Sequence, residues 1–171
     1  YMFSGCYKLE EVPEMPTTTQ VTVEEYCCSF MFYDCQSIVT GPSVLPATTL
    51  DIGCYEHMFH GCDKLTTAPA LPATTLADYC YSRMFCGCTL LDNIPCELPA
   101  TTLAKSCYVM MFRYCTSITT SPVLPATTLA ESCYESMFEG CSNLREIFIP
   151  LSIKEIGGGV VEAAKSMGSN T

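Results

Sequence analysis

The stretch LPATTLADYCYSRMF, residues 71–85, contains the main features that recur along this chain of 171 residues. The motif Leu-Pro-Ala-Thr-Thr-Leu begins at Leu45, Leu71, Leu98 and Leu124, so its copies are separated by 26, 27 and 26 residues. A spacing of this size is typical of proteins built from stacked repeats, because each unit can bury its apolar side only against the next. The period therefore predicts a repeat fold.

A Met-Phe pair and two columns of cysteine keep the same period. One cysteine stands four residues after the Met of every pair, and a second stands four residues before five of these methionines. A register held this closely indicates that the side chains are stacked on their equivalents in adjacent units. The methionines are Met2, Met31, Met58, Met84, Met111 and Met137, and the cysteines are Cys6, Cys35, Cys62, Cys88, Cys115 and Cys141, then Cys27, Cys54, Cys80, Cys107 and Cys133.

Each unit is predicted to contain one short helix and one extended segment. Within residues 77–88, Cys80 and Met84 share the apolar face of a helix of about three turns, and Ser82 falls on the opposite side. Between two such helices, residues 65–71 suit a short strand that pairs with its counterpart in the neighbouring unit. The sequence predicts an α/β repeat, with short strands or extended segments on one face and short helices on the other.

The units resemble the leucine-rich repeats of the BspA-like family of bacterial surface proteins, and the final unit carries the resemblance best. Its apolar positions follow the family pattern L-x-x-I-x-I-P-x-x-V-x-x-I-G, and the LPATTLA units resemble a longer variant of that repeat. The resemblance implies a right-handed solenoid, secretion to the cell surface and a role in adhesion or partner binding, with no shared catalytic residue. The matching positions are Leu144, Ile147, Ile149, Pro150, Ile153, Ile156 and Gly157.

Two regions are predicted. Residues 1–143 form an array of ~26-residue units, and residues 144–171 form a divergent C-terminal repeat or cap with a flexible tail. The array begins in the middle of a unit, which leads us to expect a piece of a longer protein whose secretion signal or anchor lies elsewhere. No run of eighteen apolar residues is present, so no transmembrane segment is predicted.

The charge of the chain argues against nucleic acid as a partner. Eight Lys plus Arg stand against 18 Asp plus Glu, which gives a formal net charge of −10. Proteins that bind phosphate backbones do so with clustered basic residues, and the few basic residues here are scattered.

The fourteen cysteines have three interpretations: buried free thiols, disulfides or metal ligands. Metal sites usually show closely paired cysteines with histidine nearby, whereas the columns here favour small buried side chains stacked along the repeat. Cys28, Cys86 and Cys96 lie outside the columns and are the first candidates for exposed thiols. No metal and no cofactor is predicted.

The threonine pairs that begin at Thr48, Thr74, Thr101 and Thr127 could form an ice-binding array if both threonines pointed outward. In an extended segment neighbours point to opposite sides, so only one of each pair is expected to do so. Thr75 precedes Asp78 by three residues, as in a helix capping box, and capping is the favoured interpretation.

The tyrosine column could likewise be a stacking platform for sugars or bases. A stripe beside Met and Phe at regular spacing is more often part of the core or its rim, which we favour. Its members are Tyr55, Tyr81, Tyr108 and Tyr134.

No constellation typical of an enzyme is found, and the favoured function is a non-catalytic binding or adhesion module at the bacterial cell surface. The partner would be a protein or glycan on a host or neighbouring cell, or a surface complex, held by the strand-bearing face. A rigid spacer that holds another domain, or an accessory subunit of a surface nutrient-uptake complex, is the alternative. By alternation along the strands, the outward positions predicted to contact a partner are Glu11, Glu14, Thr67, Asn93, Glu97, Thr120, Glu146 and Phe148.

Overall fold

The computed structural model describes residues 2–15 and 22–148 as a stack of units that pair in parallel. Strand β1 (Thr22–Val23) pairs with β2 (Thr49–Leu50), and β3 (Thr120–Val123) pairs with β4 (Glu146–Phe148), with a register irregularity between Thr120 and Val123. Single parallel bridges connect further units at the same 26- to 29-residue offsets, for example Thr40 with Thr67. The predicted repeat organisation with extended segments on one side is therefore present.

The predicted helices are absent from the described residues, and this part of the fold prediction is wrong. The segments expected to be helical are runs of consecutive turns, which we call the turn segments: residues 25–34, 52–61, 78–87, 105–114 and 131–140. In the first four, every second N–H donates to a carbonyl of the next unit, as from Phe59 N to Met84 O at 2.9 Å. The alternate N–H groups bond three residues back, as from Met58 to Tyr55 O at 3.2 Å, so the i to i−4 ladder of a helix does not form.

The backbone of the turn segments repeats every four residues. Gly53, His57 and Gly61 have φ angles of +56°, +55° and +71°, and the equivalent residues of the other turn segments are also left-handed. Each α-helical residue turns by 100°, so residues four apart would drift by about 40° around a helix. A backbone that repeats every four residues instead places the Cys, Met and Cys of each unit, which are four residues apart, on the same side. Ser82, predicted to face solvent, is fully buried.

The core is formed by columns of identical side chains, one per unit. The Phe rings stack with centroids 5.4–5.8 Å apart and planes within 15° of parallel, from Phe3 to Phe138. Tyr55 to Tyr134 form a second stack at 5.7–5.8 Å. These four tyrosines are buried, which confirms their assignment to the core. Offset stacking of this kind adds to the free energy gained by burying the rings.

All fourteen cysteines lie in the described residues and all are free thiols. Ten are buried, as expected for stacked apolar side chains. In the column that follows the Met-Phe pairs, the thiols from Cys35 onwards donate to the Phe carbonyl of the preceding unit, for instance Cys88 Sγ to Phe59 O at 3.1 Å. A disulfide would remove that bond. The exposed thiols are Cys6, Cys27 and Cys96, with Cys28 half-buried and Cys86 buried.

The capping-box prediction is also wrong, because the described residues contain no helix to cap. The main chain of Thr75 pairs with Thr49 in the parallel ladder, and Asp78 Oδ1 accepts a hydrogen bond from Lys105 N of the next unit at 3.0 Å. Both threonines of every pair are exposed. The expectation that only one of each pair would point outward is wrong, because both side chains are accessible to solvent.

Position 140 is expected to need glycine, because of its left-handed backbone and the ring packed against it. Gly140 has φ +76°, and a Cβ there would overlap the ring of Tyr114. Gly140→Ala should lower the free energy of unfolding by about 2 kcal/mol, from left-handed strain and overpacking. The matched control is Gly41→Ala, whose Cβ would make only ordinary contacts with Leu65 and Phe59. Urea unfolding of the two variants gives the comparison, and equal stabilities would contradict this role for Gly140.

The buried thiols should make the fold sensitive to alkali. Burial raises the pKa of Cys54, Cys107 and Cys141 to about 12, against about 8.5 for a free thiol. Their contribution to stability is complete below pH about 8.5 and is lost as the pH rises towards 12, because the unfolded thiols ionise first. Each thiol should lower the free energy of unfolding by about 1.4 kcal/mol per pH unit in that interval.

Denaturant unfolding between pH 8 and pH 11 measures this dependence. Replacement of the three residues by Ala should make the decline less steep, whatever the variant's stability at pH 8. An unchanged slope would assign the alkaline sensitivity to other groups.

Candidate functional site

Six exposed side chains, one per unit, run along the strand-bearing side of the stack. Parallel bridges join Glu11 to Thr40, Thr40 to Thr67, and Thr67 to Asn93. The strands β3 and β4 place two more equivalents next to each other. Extended segments in parallel register hold such side chains about 4.8 Å apart. We call these residues the first surface column: Glu11, Thr40, Thr67, Asn93, Thr120 and Glu146.

A second surface column runs beside the first, two to four residues further along each extended segment. Bridges join Val44 to Ala70, Glu97 to Val123, and Val123 to Phe148. Val123 and Phe148 are 46% and 45% exposed, so the column ends in adjoining apolar side chains. The second surface column is Val44, Ala70, Glu97, Val123 and Phe148.

The structure therefore groups seven of the eight residues that the sequence predicted as partner contacts. Glu11, Thr67, Asn93, Thr120 and Glu146 share the first column, and Glu97 and Phe148 share the second. All seven are exposed.

Glu14, the eighth, has a structural contact within the stack. Its two carboxylate oxygens each accept from Ser43 N at 3.0 Å, and one also accepts from Ser43 Oγ at 2.8 Å. Glu14 thus ties one unit to the next while remaining exposed. Hydrogen bonds to a charged carboxylate are stronger than neutral ones, so this contact favours one position of the side chain.

Sequence reasoning missed Thr40, Val44, Ala70 and Val123. Thr40 could have been found by subtracting one period from Thr67, because register is kept from unit to unit. Val44, Ala70 and Val123 were missed because apolar residues were assigned to the core by default, although surfaces commonly carry some of them.

The two surface columns carry uncompensated negative charge. Acidic residues stand at both ends of the first column, and Glu97 stands in the second. The ion pairs found in residues 2–15 and 22–148 lie elsewhere, between Lys105 and Glu131 and between Arg113 and Glu139. A partner with basic groups would find these carboxylates accessible.

No group of three or more His, Cys, Asp or Glu side chains is placed to hold a metal ion in the described part of the chain. Across the same residues, no helix is long and apolar enough to cross a bilayer.

Stacked units, a parallel ladder and a non-repeating exposed surface define a repeat protein of the leucine-rich type. A family model for the BspA type leucine rich repeat region matches in six copies, over residues 1–108 and 54–168. The chain therefore belongs to the BspA-type leucine-rich repeat family, whose repeats are commonly found in surface and protein-binding proteins. The resemblance stated from the sequence is confirmed.

One solved structure similar to this chain is a leucine-rich repeat protein from Bacteroides ovatus. The similarity covers 87% of this chain and 39% of that chain, with 17% sequence identity and a TM-score of 0.40. The chain thus spans well under half the length of that protein. Comparison with curated protein sequences gives no match.

Glu14 and Glu97 should differ in their effect on stability although both are exposed acids. Glu14→Gln weakens the charged hydrogen bonds to Ser43 and should lower the melting temperature, at a cost of about 1 kcal/mol. Glu97→Gln removes the same charge from the second surface column and should leave stability within about 0.5 kcal/mol. Calorimetry measures the melting temperature of both variants. Equal melting temperatures would show that the Glu14 hydrogen bonds do not stabilise the stack.

Proposed function

We propose that this chain is a non-catalytic binding module displayed on the outside of a bacterial cell, where it contacts a protein or glycan. The observation that carries the proposal is the contrast between the two sides of each unit. Core positions recur as Cys, Met and Phe, whereas the first surface column reads Glu, Thr, Thr, Asn, Thr and Glu along the stack while remaining exposed. Selection for stacking alone requires the recurring residues but gives no reason for this varied surface.

The form of the surface agrees with binding. A ladder of short extended segments presents side chains at a regular spacing on a rigid backbone, so little conformational entropy is lost when a partner docks. We further infer that the units wind as a right-handed solenoid, as the family resemblance implies. The exposed pair Val123 and Phe148 supplies an apolar anchor beside Glu97, and anchors of this kind contribute much of the affinity at interfaces. The partner is expected to be basic or polar.

A second candidate, the rigid spacer, rests on one observation. The Phe stack continues through six units without interruption, and six units at about 4.8 Å each make a rod of roughly 25–30 Å. Such a rod could hold another domain away from the cell, or serve as an accessory subunit of a nutrient-uptake complex. Neither role needs the surface columns.

Added positive charge at the centre of the first surface column tests the binding function. Thr67→Lys combined with Asn93→Lys should weaken binding at least 10-fold, because two cations would face a basic partner at the middle of the interface. The matched control is Thr75→Lys combined with Thr102→Lys. Those threonines are also exposed and lie in a parallel ladder, but they belong to the recurring motif.

Binding is measured on a glycan array and on partners purified from bacterial and host cell surfaces, with melting temperatures to verify folding. The proposal is supported if the first variant loses binding and the control variant keeps it. Equal binding by both variants would exclude this surface. A wild-type chain that retains no glycan or protein would favour the spacer.

A further inference from the structure

The chain contains two histidines, and the structure brings their rings together. His57 and His60 lie in one turn segment, and their Nδ1 atoms are 3.3 Å apart. The pair lies in the second full unit, with described units on both sides, so its surroundings are those of the interior of the stack.

Aromatic rings of the preceding unit hold both imidazoles in place. Phe30 stacks on His57 with ring centroids 4.4 Å apart and planes within 13°. Tyr33 stacks on His60 at 4.9 Å, also within 13°. Two rings fixed against neighbours have few alternative rotamers, so the convergence of the two nitrogens is built into the stack.

Burial shifts the pKa of both imidazoles in the same direction. Burial lowers the pKa of His57 to about 4, with His60 and Arg83 contributing through their charge. Burial also lowers the pKa of His60, and the charge of Asp34 opposes that change. An imidazole binds a metal ion through the lone pair of one ring nitrogen, and here the two Nδ1 atoms are the ring nitrogens that lie close together.

The charged groups around the pair come from the same unit and from both adjacent units. Asp34 of the preceding unit lies against Gly61, where a Cβ would overlap its Oδ1, and this brings a carboxylate beside His60. Arg83 of the following unit donates from Nε to Met110 Sδ at 3.3 Å, so this contact ties it to the unit beyond. Glu56 lies next to His57 in the same turn segment and is half-buried, with its pKa raised by burial.

We propose that His57 and His60 form a zinc site, in which both Nδ1 atoms bind one Zn²⁺ and water completes a tetrahedral shell. Two nitrogens bound at about 2.05 Å in tetrahedral geometry lie about 3.3 Å apart, which is the separation seen here. Neighbouring ligands of a square-planar Cu²⁺ at about 2.0 Å would lie only about 2.8 Å apart, so the spacing favours zinc. Asp34 is a positioning residue that supplies negative charge near the ion.

The site belongs to one unit and has no equivalent elsewhere in the repeat. The preceding unit has Phe30 and Tyr33 at these two positions, and the following unit has Arg83 and Cys86. Substitutions that preserve the packing can therefore be copied from the chain itself. His57→Phe and His60→Tyr restore the residues that the preceding unit stacks at the same places.

The test is a zinc titration of the purified chain by calorimetry, after the thiols accessible in the folded protein have been alkylated. Wild type should bind one Zn²⁺, and His57→Phe or His60→Tyr alone should weaken binding at least 10-fold. The double variant should bind none at the same concentrations. Asp34→Asn should weaken binding several-fold, and it keeps both the side-chain shape and a residue that tolerates positive φ.

Two further readouts distinguish zinc held by the imidazoles from zinc held by thiolates. Because the chain has only two histidines, zinc should shift the ¹⁵N signals of both Nδ1 atoms, and this is measured on wild type without any variant. Co²⁺ in place of zinc should give a tetrahedral spectrum without a thiolate charge-transfer band. Unshifted imidazole signals, a thiolate band, or full affinity in the double variant would overturn the proposal and leave a hydrogen-bonded imidazole pair.

Discussion

The structure depends on hydrogen bonds that run from one unit to the next through the turn segments. In each of the first four, five N–H groups point along the stack and donate to carbonyls of the following unit, at 2.8–3.0 Å. These groups are satisfied only when a neighbour is present. One unit alone would leave them without protein acceptors and would leave one apolar side uncovered, so units are stable only in a stack.

This constraint explains the unusual backbone and the composition of the core. Pointing every second N–H along the stack requires left-handed residues at intervals of four, and eleven non-glycine residues in the described part adopt that conformation. Each costs about 1–2 kcal/mol, which the inter-unit bonds and the burial of Met and Phe columns offset. Cysteine suits the remaining column because its thiol is small, apolar and still able to donate to the Phe carbonyl of the preceding unit.

The same regularity separates architecture from function. Residues that recur are held by the stack, and substitutions among them affect folding. The side chains of the two surface columns and of His57 and His60 vary from unit to unit, so stacking does not fix which residue stands at these positions. Period and alternation were enough to predict from the sequence that seven of the eight proposed contact residues lie exposed on the extended segments. The pairing of Val123 with Phe148 could not be predicted from the sequence, because it depends on the register irregularity between β3 and β4.

The amino-acid sequence by itself determined the unit length, the family and most of the buried set, since spacing and side-chain type are read directly from the repeat. The tertiary structure decided the conformation of residues 78–87 and their equivalents. Cys80, Met84 and Cys88 are four residues apart, a spacing that a helix and a run of turns both present as one apolar side over a short segment. Which of the two forms depends on where the N–H groups find acceptors, and those acceptors belong to the neighbouring unit. The proximity of His57 to His60 was decided in the same way, because the turns and the rings of Phe30 and Tyr33 orient the imidazoles.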